Sequence, residues 1–159
     1  MHAWDLAGGE IDFDEHSAIV AVGGDGTLHE VINGVLQRAD KKRLPISFVP
    51  NGSGNDLCKC FGIRDSAQAL DWLVKGDIIK MDANKCLLDC EHEDEIPQDA
   101  ENRSQKIRYS VINAAVGFVA KSVHKAISHK PIAGRACYFT SAVHNFFTTS
   151  TENYGVVIS

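Results

Sequence analysis

The sequence predicts an α/β protein: a parallel-sheet domain over residues 1–76, followed by the opening of a β-rich second domain over residues 77–159. Two observations carry the first half. An apolar run that ends in glycines and leads into a helical apolar stripe occupies 17–36, and the same order of features returns at 45–75. Strands that alternate with helices bury both faces of a sheet, as parallel α/β domains do. A third observation carries the second half: near Gly76 the apolar spacing changes from helical to alternating.

Taken in order, Ala3 to Leu6 reads as the tail of a helix closed by Gly8-Gly9. Ser17 to Val22 is a buried strand, and Gly23-Gly24-Asp25-Gly26-Thr27 is a tight loop. Leu28, Val31, Ile32, Val35 and Leu36 then fall at the i, i+3, i+4, i+7, i+8 positions of an amphipathic helix. Pro45 to Val49 is the second strand, Asn51 to Asp56 the second glycine loop, and Asp56 to Phe61 a short helical turn. Ser66 to Lys75 is a clearer helix, capped by Asp65 or Ser66 and ended by Gly76. Asp77 to Leu88 alternates like a half-buried antiparallel strand, and Ile107 to Ala115 is its expected partner. Between them, 89–105 reads as an exposed acidic loop with almost nothing to bury. Phe118 to Ile127 and Ala136 to Phe147 have helical spacing, and Tyr154 to Ser159 is strand-like. Trp72 and Phe61 are expected in the core.

Composition excludes several classes. Hydrophobic residues make up 44% and charged residues 23% of 159, ordinary globular usage. No run approaches the ~20 apolar residues needed to cross a bilayer, and Met1 to Asp5 has neither the basic nor the apolar region of a signal peptide. The expected place is the cytoplasm. The five cysteines, an odd number, argue for reduced thiols over a disulfide framework. Cys86, Cys90 and His92 lack the second ligand pair of a tetrahedral metal site. The net charge of −5 is concentrated in 89–101, which holds seven acids and no lysine or arginine; the rest of the chain carries 16 bases against 14 acids. No basic stripe interleaved with aromatics points to nucleic acid.

The two glycine loops carry the chemistry. Glycines after a buried strand let backbone N–H groups crowd around an anion without interference from Cβ atoms, and the helix that follows adds the partial positive charge of its N-terminus. Both features favour a polyphosphate. Asp25 among these glycines fits a divalent cation bridging phosphates, or an acid that orients an acceptor hydroxyl. The alternative is a cap on the helix starting at Thr27. Two such loops at the carboxyl ends of strands in one sheet face the crevice where open α/β sheets bind ligands. No Gly-Lys-Ser/Thr follows either loop, so neither is a Walker A motif.

Val22-Gly23-Gly24-Asp25-Gly26-Thr27-Leu28-His29-Glu30-Val31-Ile32-Asn33-Gly34 resembles the nucleotide-binding signature of the diacylglycerol kinase catalytic domain, a family that takes in diacylglycerol, sphingosine and related lipid kinases. Pro50 to Asp56 is similar to its second signature, and Asn113-Ala114-Ala115-Val116-Gly117-Phe118 to the segment that opens its lipid-facing region. Gly134-Arg135 with Tyr138 is similar to a later helix start. The resemblance implies a Rossmann-like fold of the NAD kinase and diacylglycerol kinase type. It implies ATP in the cleft between two domains, with phosphates on Gly23, Gly24, Gly26 and Thr27 and further contacts from Ser53 and Asn55. It also implies Glu30 facing the nucleotide, Arg135 approaching the phosphates, and Asp25 beside the γ-phosphate and magnesium. The acceptor would be the hydroxyl of a lipid at a membrane surface, diacylglycerol or a sphingoid base, and a second copy of the chain is a candidate partner.

The departures are specific. The strand and Asn-Pro-type loop with which the family begins are absent, as are its later β-strands. Where many members place an acid after Gly117-Phe118, this chain has Val119, Ala120 and Lys121. The isolated chain is therefore expected not to turn over. An NAD kinase-like enzyme and a nucleotide-binding module without kinase activity are the competing readings.

Overall fold

The computed structural model describes residues 2–90, 93–99, 103, 105–115, 117–133 and 136–148. They fall in two compact units, residues 1–112 and 113–159. The expected change of domain at 76 lies earlier in the chain than this division.

In the first unit, β1 (Ile19–Gly23) and β2 (Ile46–Pro50) form a parallel pair in which Ile19 faces Ile46 and Gly23 faces Pro50. The helix α2 (Asp25–Leu36) connects them, as the repeated strand–loop–helix pattern predicts. Its apolar stripe is buried: Leu28, Val31, Ile32 and Val35 join Ala21, Phe48, Phe13 and Cys58 in one core. Each such aliphatic side chain contributes roughly 1.5–3 kcal/mol when removed from water.

The chain before β1 wraps this helix. A helical turn, α1 (Ala3–Asp5), runs into a π-turn (Leu6–Glu10) that carries Gly8 and Gly9 within it. The glycines thus continue the helical path that they were expected to close. The reason is contact with α2: a Cβ on Gly34 would lie 2.5 Å from the Trp4 carbonyl oxygen. Arg38 fastens the other end. Its buried guanidinium donates to both Asp40 oxygens at 2.9 and 2.5 Å and to the Ala7 and Ile11 carbonyls at 3.1 and 3.2 Å. It also stacks on the Phe13 ring at 3.8 Å. The paired guanidinium and the Lys42 amide hold the Asp40 carboxyl down at about 2.

After β2 come α3 (Asp56–Cys60) and α4 (Ser66–Lys75). The predicted caps of α4 are present: Asp65 accepts from the Gln68 N–H at 2.9 Å, and Gly76 takes the left-handed conformation, φ 72°. Trp72, expected in the core, is 36% exposed.

The antiparallel pair β3 (Asn84–Leu87) and β4 (Ile107–Ser110) is the predicted hairpin, but shorter than expected. The ladder ends at Asn84 opposite Ser110, so residues 77–83 have no strand beside them among the described residues, and Ile78 and Ile79 are exposed. The acidic loop does bury something: Ile96 is only 7% exposed.

The second unit pairs α5 (Phe118–Ala133) with α6 (Cys137–Thr148). Ala126 and Cys137 are fully buried, and the Asn145 amide donates to the Ser122 hydroxyl at 3.2 Å. Both expected helices are thus present. The β-rich character expected after residue 76 is limited, among the described residues, to the one hairpin; the strand-like run 154–159 lies outside them. Among the described residues no helix is long and apolar enough to cross a membrane.

Candidate active site

Parallel pairing of β1 with β2 brings the two glycine loops together, because Gly23 and Pro50 are in register at the strand ends. The Asn51 N–H donates to the Gly23 carbonyl at 2.7 Å, extending the ladder into the loops. The loops then touch backbone to backbone. A Cβ on Gly52 would sit 2.4 Å from the Gly24 Cα, and one on Gly24 would sit 3.1 Å from the Gly52 Cα. Thr27 folds its side chain back against Gly23.

Gly24 is the N-cap of α2 in an extended conformation and offers no side chain to cap it. The first-turn N–H groups of Asp25, Gly26 and Thr27 therefore have neither an intrahelical partner nor a side-chain cap. Gly26 is exposed, and a Cβ there would meet nothing within 4 Å.

Asp25 does cap a helix, but not its own. Its Oδ1 accepts the Asp56 N–H at 2.8 Å and lies 3.5 Å from the Leu57 nitrogen, at the start of α3. Its Oδ2 lies 2.8 Å from where a Gly54 Cβ would be, and the two Asp56 carboxylate oxygens lie 3.6 and 3.7 Å from the same point. Two carboxylates thus flank Gly54, with Asp56 also paired to Lys59 at 3.0 Å. Asn55 holds the loop itself. It adopts a left-handed φ of 54°, accepts from the Gly52 N–H and donates to the Gly52 carbonyl, both at 2.9 Å. Ser53 is half-buried in the same loop. Beneath, burial and then the Asp25 charge push the Cys58 thiol up, keeping it protonated.

The remaining expected residues lie elsewhere. The Glu30 carboxylate accepts the Ala3 N–H at 3.1 Å. Arg135 lies outside the described residues. A cavity of about 710 Å³, lined in part by Trp4, Gln37, Arg38, Arg43 and Tyr109, lies at the carboxyl end of α2, and the loops are not part of its lining. Among the described residues no three His, Cys, Asp or Glu side chains cluster as a metal site. The Asp25 and Asp56 carboxylates would nonetheless suit magnesium, which takes one or two protein carboxylates and draws its other ligands from phosphate and water.

Sequence reasoning gave no role to Asn33, Gln37 or Asp56. Asn33 is fully buried; its side-chain amide donates to the Tyr109 carbonyl at 2.8 Å and its oxygen accepts the Tyr109 N–H at 2.7 Å. One turn on, Gln37 donates to the Ile107 carbonyl at 3.2 Å. The two amides fasten α2 to β4. Asn33 lies off the apolar stripe of α2, so its spacing gave no signal of its burial.

Two backbone-lined glycine turns meet beside a helix N-terminus with no side-chain cap, in a strand–loop–helix unit. The model of the "Diacylglycerol kinase catalytic domain" matches residues 4–86, just over half of the chain, and the chain belongs to that lipid kinase family. It is 41% identical over 86 residues to sphingoid long-chain bases kinase 1 of Arabidopsis thaliana, covering 51% of this chain and 11% of that protein. It is 37% identical over 65 residues to sphingosine kinase B of Dictyostelium discoideum, covering 39% of this chain and 9% of that protein. Against a diacylglycerol kinase of Staphylococcus aureus (strain JH9) it is 34% identical over 73 residues, 45% of this chain and 22% of that protein. The chain thus spans less than a quarter of the length of each of these relatives.

Proposed function

We propose that the protein carrying this chain transfers the γ-phosphate of ATP to a lipid hydroxyl, on diacylglycerol or a sphingoid base. One observation carries the reading: the two glycine loops meet at Gly24 and Gly52 beside the uncapped N-terminus of α2. In this reading the N–H groups of residues 24–27 hold the phosphates, and Ser53 and Asn55 shape the facing wall. Asp25 Oδ2, with Asp56 beside it, would hold magnesium, which supplies charge neutralisation for the phosphates. Asp25 stands next to the transferred group and orients the attacking hydroxyl. Catalysis then rests on positioning and charge, as phosphoryl transfer requires. The lipid's apolar chains put the reaction at a membrane surface, reached from the cytoplasm.

The test is transfer of labelled phosphate from Mg-ATP to a panel of diacylglycerol, sphingosine and NAD. Product on either lipid alone supports the proposal. Product on NAD alone favours the NAD kinase-like reading, and binding of Mg-ATP without any product favours a nucleotide-binding module.

A further inference from the structure

We propose that Asp25 is the clasp that holds the second glycine loop against the first, a positioning role beyond any contact with phosphate or metal. The observation is a bond across 31 positions of sequence, Asp56 N–H to Asp25 Oδ1 at 2.8 Å. The helix it caps, α3, has only five residues. Helices that short do not hold themselves in water, so α3 and the loop before it need an external tie. The strand end supplies one tie through Asn51 and Gly23. The Gly24–Gly52 contact brings backbone against backbone with no side chain to interlock. The carboxylate is a second directional tie between the loops, at the far end of the second one, and it lies where the partial positive charge of a helix N-terminus favours an anion. Gly54 belongs to the same device: a Cβ there would press on Oδ2 at 2.8 Å and push the carboxylate off its amides. The Asn55–Gly52 ring fixes the shape of the loop, and Asp25 fixes its place.

This deepens the kinase reading and rests on it only for the nucleotide measurement below. An asparagine oxygen can accept the same N–H, so Asp25→Asn keeps the clasp while removing the charge; Asp25→Ala removes both. Amide hydrogen exchange at Asp56 and Leu57 separates the two. Protection in Asp25→Asn should stay near that of the parent, whereas in Asp25→Ala exchange should rise roughly tenfold, the loss expected of a hydrogen bond to a charged group. Gly54→Ala should raise it in the same direction with Asp25 still present, and reports on the clasp even where Asp25→Ala fails to fold. With ATP in the absence of magnesium, Asp25→Asn should keep nucleotide affinity while Asp25→Ala loses it, and with Mg-ATP both should lose turnover; a purely structural residue gives no such split. Unchanged exchange in both Asp25→Ala and Gly54→Ala overturns the clasp, as does loosening in Asp25→Asn equal to that in Asp25→Ala. If no variant and no parent protein binds Mg-ATP, the kinase reading fails, and the exchange pattern still decides the clasp.

Discussion

Gly26→Ala should make the protein more stable and its nucleotide affinity worse. Gly26 is the second residue of α2, and a Cβ there meets nothing within 4 Å. Its φ is not among the positive values, so alanine fits the existing backbone. Replacing a helical glycine by alanine stabilises by roughly 0.5–1 kcal/mol, largely by restricting the unfolded chain. For a chain of this size that is a rise of roughly 2 °C in Tm. If phosphates lie against the N–H groups of residues 25–27, the new methyl group occupies their approach. Loss of one amide–phosphate hydrogen bond at about 1.5 kcal/mol is about tenfold in Kd. Thermal unfolding and calorimetric titration with Mg-ATP measure the two effects on one sample. A variant that is stabilised and binds Mg-ATP as tightly as the parent would refute the phosphate assignment, because it would leave Gly26 with neither a packing nor a ligand reason.

Three further outcomes follow from the same geometry. Gly34→Ala should destabilise by about 1–3 kcal/mol, the usual cost of overpacking, because its Cβ would lie 2.5 Å from the Trp4 carbonyl and 3.0 Å from the Ala7 Cβ; urea unfolding checks it. Asn33→Leu should cost about 3 kcal/mol by the same measurement, since it strands the Tyr109 N–H and carbonyl that the buried amide satisfies on both sides. The Asp40 carboxyl, held at about 2 by Arg38, has a folded value below its unfolded one of 3.8. Its contribution to stability is therefore complete above about pH 4 and lost as the pH falls toward 2. Asp40→Asn should flatten the stability–pH curve in that window.

Local signals were legible where local physics decides the structure. The strand–loop–helix order, the apolar stripe of α2, the Asp65 and Gly76 caps and the helices from Phe118 and Cys137 all follow from spacing and capping chemistry within a few residues. The misses are places where a distant partner decides. Residues 77–83 alternate as a strand should, yet a strand needs a neighbour, and the ladder of β3 with β4 ends at Asn84 and Ser110. Gly8 and Gly9 read as a stop, but contact with Gly34 carries the helical path through them. The acidic loop reads as featureless because charge dominates its composition, and the buried Ile96 is a single apolar residue within it.

The first signature is thus two overlapping devices. Asn33 and Gly34, at its end, face the protein: one binds the backbone of β4 and the other lets the N-terminal turn close on α2. Gly24, near its start, faces the second loop, and Asp25 reaches across to the same loop. Gly26 has open space around it among the described residues, in a first turn with no side-chain cap, so packing does not explain it. A match to the whole signature therefore says more about fold than about catalysis, since most of its residues are satisfied by contacts within the chain. A chain that kept Gly24, Asp25, Asn33 and Gly34 but replaced Gly26 should still build this unit and bring the two loops together. What it should lose is the phosphate. Within this signature, the kinase reading rests on the smallest residue of the motif and on the second oxygen of Asp25, beside the meeting of the two loops at Gly24 and Gly52.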